Sequence, residues 1–358
     1  MQTVKVHIDT AAPDDPEASI LIIYTGGTIG MVFDEKAQHL IPFNFSKIPD
    51  RVPELKQFNY LLTVISIEPV IDSSDITIND WLMLAKLIEE NYNDYDGFVV
   101  LHGTDTMGYS ASALSYLLEN LQKPVIFTGA QVPIGLIRTD ARENLITALQ
   151  IAGTKAHVKC RVPEVSIFFH NLLLRGNRAK KVESSHFDAF KSENYPPLAE
   201  AGIDIDFYDE HILPCPLLPL KVHHQLEPNV VILKLFPGIT EQVVQSILQL
   251  PNIKGVVMET FGSGNAPTTP WFLDLLKETI DRGVYILNVS QCDEGRVDQG
   301  RYETSKYLLN MGVIGGADIT TEAAITKLMF VLGLNLGKEE TIKLLSGNLR
   351  GEITLQSS

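Results

Sequence analysis

The chain has 358 residues, 45% of them hydrophobic, with 44 acidic against 29 basic side chains and a formal charge of −15. That length predicts two domains with ample cores, and the apolar content excludes an intrinsically disordered chain. The acidic balance argues against a nucleic-acid binder, and no apolar run reaches the roughly 18 residues of a membrane-spanning helix.

In chain order, residues 1–18 read as an extension with a short strand at 4–8. The β-branched run at 20–24 predicts a strand ending in Thr25-Gly26-Gly27-Thr28, and 61–68 predicts another. Thr77 with Asp80 reads as a capping box before a helix over 81–90. Strands at 97–101, 124–128 and 164–170 alternate with helices at 107–121 and 140–152. Such alternation predicts parallel βαβ units. A proline-rich stretch from 172 to about 227 looks irregular. Alternation then resumes on a smaller scale: strands at 230–235, 255–259 and 284–289, helices at 240–250, 271–282, 320–332 and 338–345. The expectation is an α/β protein of two doubly wound α/β domains, the larger N-terminal and the smaller C-terminal. Its divisions are an extension over 1–18, a catalytic domain over 19–205, a linker over 206–228 and a C-terminal domain over 229–358.

Ligands of such sheets bind beyond the carboxyl ends of the strands. The segments there are Thr25 to Thr28, Asp72-Ser73-Ser74-Asp75, His102-Gly103-Thr104-Asp105 and Gly129-Ala130-Gln131. Each has a plain alternative: a simple turn for the paired glycines, a helix cap for Asp105, a packed histidine for His102. Arg175-Gly176-Asn177-Arg178-Ala179-Lys180-Lys181 reads mostly as a solvated basic loop, with one lysine available as a base if burial or neighbouring charge lowers its pKa. Neither a dinucleotide fingerprint, a phosphate loop, HExxH nor GxSxG is present. Cys160, Cys215 and Cys292 have no paired spacing, so neither a disulfide framework nor a zinc site is expected. They suit a reducing compartment, and no basic, apolar leader is evident, so a cytoplasmic location is expected.

Taken together, Tyr24-Thr25-Gly26-Gly27-Thr28-Ile29-Gly30, Asp72-Ser73-Ser74-Asp75, His102-Gly103-Thr104-Asp105-Thr106-Met107, Arg175-Gly176-Asn177-Arg178 with Lys181, Gly262-Ser263-Gly264-Asn265-Ala266-Pro267 and Gly315-Gly316-Ala317-Asp318 resemble the bacterial-type asparaginases, specifically the cytosolic type I group. The resemblance runs from about Ser19 to the segment around Glu352. It implies hydrolysis of L-asparagine to L-aspartate and ammonia through a threonine acyl-enzyme, with no metal and no cofactor. It implies a homodimer or homotetramer, with no nucleic-acid or membrane partner.

Residue by residue, the resemblance makes Thr28 the nucleophile and Thr104, Asp105 and Lys181 a second triad that activates water. Asp72, Ser73 and Ser74 would hold the substrate carboxylate, Asp105 its ammonium, and backbone N–H groups near Ala130 and Thr104 the oxyanion. Ser263 and Asn265 would reach the partner subunit's site. The loop over 31–43 lacks the tyrosine that some relatives carry, and Leu40 stands near that place. Tyr302 is the matching candidate to activate Thr28. Competing readings are a tRNA-dependent amidotransferase subunit, which would need an extra N-terminal domain and a basic face, and a non-catalytic amino-acid sensor on the same fold.

Overall fold

The computed structural model describes residues 2–34, 39–42, 45–156, 159–300 and 303–354. The chain forms two compact units, Met1–Ser192 with Pro196–His223, and Glu193–Tyr195 with His224–Ser358. Both are α/β.

The first unit is built on a nine-stranded sheet. Its strands are β1 (Gln2–Ile8), β2 (Ala18–Tyr24), β3 (Tyr60–Glu68), β4 (Gly97–Leu101), β5 (Val125–Thr128), β6 (Val165–Phe169), β7 (Leu172–Arg175), β8 (Ala199–Ala201) and β9 (Ile205–Phe207). They lie in the order β1-β3-β2-β4-β5-β6-β7-β8-β9. The five central strands, β3, β2, β4, β5 and β6, are parallel. Those at both margins are antiparallel. β4 and β5 are buried at every position, as expected for parallel strands covered on both faces.

Three helices follow strands of this sheet: α1 (Ile78–Asn91), α2 (Met107–Leu117) and α3 (Ala141–Gly153). At the start of α1 the Asp80 carboxylate accepts from Thr77 N at 2.8 Å and from the Thr77 hydroxyl at 2.6 Å, so two otherwise open donors are met. α2 ends at Leu117, four residues before the expected end, because Leu118–Glu119 pairs antiparallel with Lys221–Val222.

The sheet differs from the sequence expectation at its margins. β1, expected as a short strand at 4–8 in an extension outside the domain, starts at Gln2 and pairs residue for residue with β3 from Gln2 opposite Glu68 to Ile8 opposite Leu62. The stretch from 172 onward holds β7, β8 and β9 rather than irregular chain. Those strands are only three or four residues long, too short for two-residue periodicity to register. Residues 206–223, expected as a linker, belong to the first unit. The Gln122 side chain donates to Pro216 O at 2.9 Å and Leu218 O at 3.1 Å, and Leu213 N donates to Glu164 Oε1 at 2.8 Å. These bonds tie the proline-rich stretch to the sheet.

The second unit has a four-stranded parallel sheet of β10 (Val230–Lys234), β11 (Gly255–Thr260), β12 (Tyr285–Ser290) and β13 (Ile314–Gly315). Its helices are α4 (Glu241–Leu248), α5 (Pro270–Asp281), α6 (Glu303–Met311), α7 (Thr321–Gly333) and α8 (Lys338–Ser346). Of these, α6 has no counterpart among the expected elements. Leu233, Val256, Met258, Ile286, Phe272 and Leu276 form the centre of one core.

The tail after α8 is fixed by charge. Lys327 Nζ lies 2.7 Å from Glu352 Oε1, both side chains fully buried. Glu352 also accepts from Leu349 N and Arg350 N at 3.0 and 2.7 Å. Burial opposes ionisation of Glu352, but Lys327 and these N–H groups outweigh it, and its pKa is lowered. Removing one partner of such a pair leaves a bare charge in the core and costs about 3–5 kcal/mol. Lys327→Met is expected to destabilise the second unit by that amount, and Lys327→Met with Glu352→Leu by far less. The check is chemical unfolding followed by Trp271 fluorescence in a Trp81→Phe background.

Candidate active site

Four strand-end loops of the first unit converge. The turn after β2 runs through Gly27 into a short 3-10 turn, Thr28–Gly30. It is closed by the Tyr24 hydroxyl donating to Gly30 O at 3.2 Å, and burial pushes the Tyr24 phenol up to about 12. Gly27 has φ +86°, and a Cβ there would sit 2.6 Å from Gly103 N and Cα, which is impossible without moving backbone. A Cβ on Gly103 would meet Ser73 Oγ at 2.4 Å. The loops bearing Thr28 and Thr104 are therefore packed main chain against main chain, with the Ser73 side chain against Gly103. Ile71 N donates to Thr25 O at 2.7 Å, and Thr106 Oγ1 to Ser73 O at 2.7 Å, which lock them in register.

Asp72 caps the turn Ser73–Asp75, its Oδ1 accepting from Ser74 N at 2.9 Å. Ser73 is buried and Ser74 exposed. Asp105 is not the cap of α2: that position is Thr106, with no side-chain cap bond. Instead, Lys181 Nζ donates to Asp105 Oδ1 at 2.7 Å and to Thr104 Oγ1 at 2.8 Å. Lys181 is 18% exposed and Asp105 65%, so the carboxylate keeps a face open to a ligand. Ala130 is buried after β5.

His102 is a packed histidine, as one reading of the sequence had it. Its Nδ1–H donates to Gly103 O at 2.7 Å, because a carbonyl only accepts. Nε2 accepts from the Ser110 hydroxyl at 2.9 Å, and Ser110 in turn accepts from Trp81 Nε1 at 2.9 Å. Burial drives its pKa down to about 4, against smaller opposing effects of Gly103 O and Asp80.

The basic stretch is not the solvated loop expected. Arg175 and Arg178 are buried. Arg175 Nε lies 2.6 Å from Glu164 Oε2, and its Nη2 donates to His211 O at 2.8 Å. Lys181 sits in a two-residue ladder with Phe190–Lys191.

The sequence reading named Gln131 in a strand-end segment without giving it a role, and passed over Asp140 and Asn144. Asp140 accepts from Gln131 N and Val132 N, each at 3.0 Å, and Gln131 Oε1 accepts from the Thr104 hydroxyl at 3.3 Å. Gln131 had only its position after a strand end as a signal, and Asp140 and Asn144 only their place in a helical stretch.

In the second unit the turn after β11 is closed by Phe261 and Asn265, whose N–H and C=O groups bond reciprocally at 2.9 Å. Ser263 O accepts from Asp298 N at 3.0 Å. Tyr302 lies outside the described residues. No cluster of three His, Cys, Asp or Glu side chains suited to a metal occurs among the described residues, and none of their helices is long and apolar enough to cross a membrane.

Family comparison agrees with this architecture. The model for "Asparaginase, N-terminal" matches residues 19–213, and that for "Glutaminase/Asparaginase C-terminal domain" matches residues 229–345. The chain belongs to the asparaginase family. It is 44% identical to L-asparaginase 1 of Escherichia coli K12 over 343 residues, covering 94% of this chain and 98% of that protein. It is 43% identical to the mouse 60 kDa lysophospholipase over 96% of this chain, but spans only 64% of that protein's length. The crystal structure of L-asparaginase I from Vibrio cholerae superposes with a TM-score of 0.86 at 41% identity, covering 94% of this chain and 99% of that one.

His102 carries a pH consequence. Between about 4 and 6.5 the unfolded chain binds its proton and the folded chain does not, so stability rises with pH across that window. The stabilisation is complete above pH 6.5 and is lost as pH falls toward 4, by roughly 3 kcal/mol for this one group. Urea midpoints of the wild type at pH 7 and 4.5 are expected to differ by more than those of His102→Asn.

Proposed function

We propose that the chain hydrolyses L-asparagine to L-aspartate and ammonia through an acyl-enzyme on Thr28. The observation that carries this reading is the placement of Lys181 within hydrogen-bond reach of both Thr104 and Asp105, beside the backbone contact that fixes Thr28.

Ser73, Ser74 and the capped turn they occupy receive the substrate α-carboxylate, with Asp72 holding the turn's shape. Asp105 pairs with the α-ammonium through its exposed oxygen. The Thr28 hydroxyl attacks the side-chain amide carbon, passing its proton to an activating base, for which Tyr302 is the candidate. A neutral hydroxyl is a weak nucleophile, so such a base is required. Negative charge on the carbonyl oxygen is met by N–H groups near Ala130 and Thr104; one such donor contributes about 2.7–4 kcal/mol to transition-state stabilisation. The nitrogen takes up a proton as the C–N bond breaks, and ammonia leaves. Water, activated through Thr104 and Lys181, then cleaves the ester and restores Thr28.

This route draws only on side chains and backbone. The further parts of the reading are a cytoplasmic location and a homodimer or homotetramer in which Ser263 and Asn265 complete a partner's site.

Ammonia release from L-asparagine tests it. Thr28→Ala is expected to lower kcat by about 10³ or more, and Thr104→Val to slow acyl-enzyme breakdown, so that a covalent adduct on Thr28 accumulates in mass spectra when the β-methyl ester of L-aspartate, whose leaving group needs little protonation, is the substrate. Tyr302→Phe should lower kcat with KM little changed. Full turnover by Thr28→Ala would reject the nucleophile.

A further inference from the structure

Gln131 follows the buried Ala130 and touches Thr104, yet nothing in the route above uses it. Its backbone is held by a built support. Asp140 Oδ2 accepts from Gln131 N at 3.0 Å and from Asn144 Nδ2 at 3.2 Å, and Asn144 Nδ2 also donates to Gly129 O at 3.0 Å. Asp140 and Asn144 are buried, so this support is shielded from solvent.

The side-chain amide of Gln131 has one orientation. Its Nε2 lies 3.1 Å from His186 O, which can only accept, so nitrogen faces His186. Oε1 then faces Thr104 at 3.3 Å and can only accept. The Thr104 hydroxyl is therefore the donor in that bond, and its oxygen accepts from Lys181 Nζ at 2.8 Å. The donors run in a single direction, Lys181 to Thr104 to Gln131.

We propose that Gln131 is a positioning residue that keeps the Thr104 proton turned away from Lys181, so that the lysine and threonine deliver a proton outward to the departing amide nitrogen. The proposal rests on the asparagine reading and gives the second triad an acid role in the first half-reaction. As the bond from Thr28 Oγ1 to carbon forms and the C–N bond breaks, the nitrogen takes the Thr104 proton and leaves as ammonia. Thr104 takes a proton from Lys181, which is left as a neutral amine. In the second half-reaction water gives a proton back along the same path, to Thr104 and so to Lys181, while its oxygen attacks the ester. The Thr28 oxygen recovers its proton from its own base.

A merely structural glutamine would be indifferent to the leaving group. The experiment compares wild type, Gln131→Met and Gln131→Glu on L-asparagine and on the β-methyl ester of L-aspartate, whose alkoxide needs far less protonation to depart. Gln131→Met is expected to lower kcat on asparagine about 10- to 100-fold with KM within about twofold, and on the ester by under about threefold. Gln131→Glu keeps an accepting oxygen and loses the His186 contact; its kcat on asparagine should stay within about threefold of wild type. Equal losses on both substrates, an unchanged kcat in Gln131→Met, or a loss in Gln131→Glu as large as in Gln131→Met would overturn the proposal. A wild type that releases no ammonia would overturn the asparagine reading and this proposal together, whereas wild-type turnover with an indifferent Gln131→Met would sink this proposal alone.

Discussion

The site depends on one close approach of backbone to backbone. β2 and β4 are neighbouring parallel strands, so their ends emerge about 4.8 Å apart. Loops leaving such ends normally diverge, because side chains wedge them open. Here Gly27 and Gly103 have nothing to wedge with, and the chains touch. Thr28 and Thr104 each lie one residue beyond that contact, so the placement of their backbones is set by main chain. Catalysis by positioned groups requires this kind of rigidity, since a nucleophile and its proton partners must meet one substrate carbon.

The ion pairs divide into two kinds. Glu164 with Arg175 and Lys327 with Glu352 are buried on both sides; each holds chain in place, and each would leave a costly bare charge if halved. Lys181 with Asp105 is different, because the carboxylate is mostly exposed. A pair of that sort adds little to stability. Its effect lies in electrostatics: a cation held at Thr104 beside a carboxylate that solvent reaches, in a chain whose overall charge is −15.

How much of this was legible in the sequence follows from where the information sits. Central strands such as 20–24 and 97–101 were legible because burial on both faces makes an unbroken apolar run. Thr28, Ser73, Thr104, Asp105 and Lys181 were singled out because the motifs around them resemble those of one family, and the structure brings Lys181 to Thr104 and Asp105. β8 and β9 were not, since a three-residue strand paired through its backbone imposes almost no pattern on its side chains. The basic stretch misled for a related reason. Whether Arg175 is solvated depends on Glu164, eleven residues away across an antiparallel pair, and on His211 O. Gln131 is a neutral amide outside any motif, and its meaning lies in which of its two ends faces a carbonyl, a fact that only coordinates carry.

The burial of the two arginines explains how a lysine 77 residues downstream reaches Thr104. β7 returns antiparallel to β6, carrying Arg175 back to the level of Ser166. There Glu164 fixes the guanidinium, and Glu164 Oε1 and Arg175 Nη2 also secure Leu213 N and His211 O. The next turn is pinned by its own backbone: Gly176 N donates to Val165 O at 3.0 Å and Arg178 N to Arg175 O at 2.9 Å. Asn177 Nδ2 donates to Ser115 Oγ on α2 at 3.2 Å, and Ser112 Oγ to Gly176 O at 3.4 Å. α2 is the helix that begins just after Thr104 and Asp105. The turn delivering Lys181 is thus anchored to the same helix whose start presents its two partners, and an error in either placement is shared by both. That common anchor lets a flexible four-carbon side chain hold two short hydrogen bonds at once, where an independently supported loop would leave the ammonium to solvent.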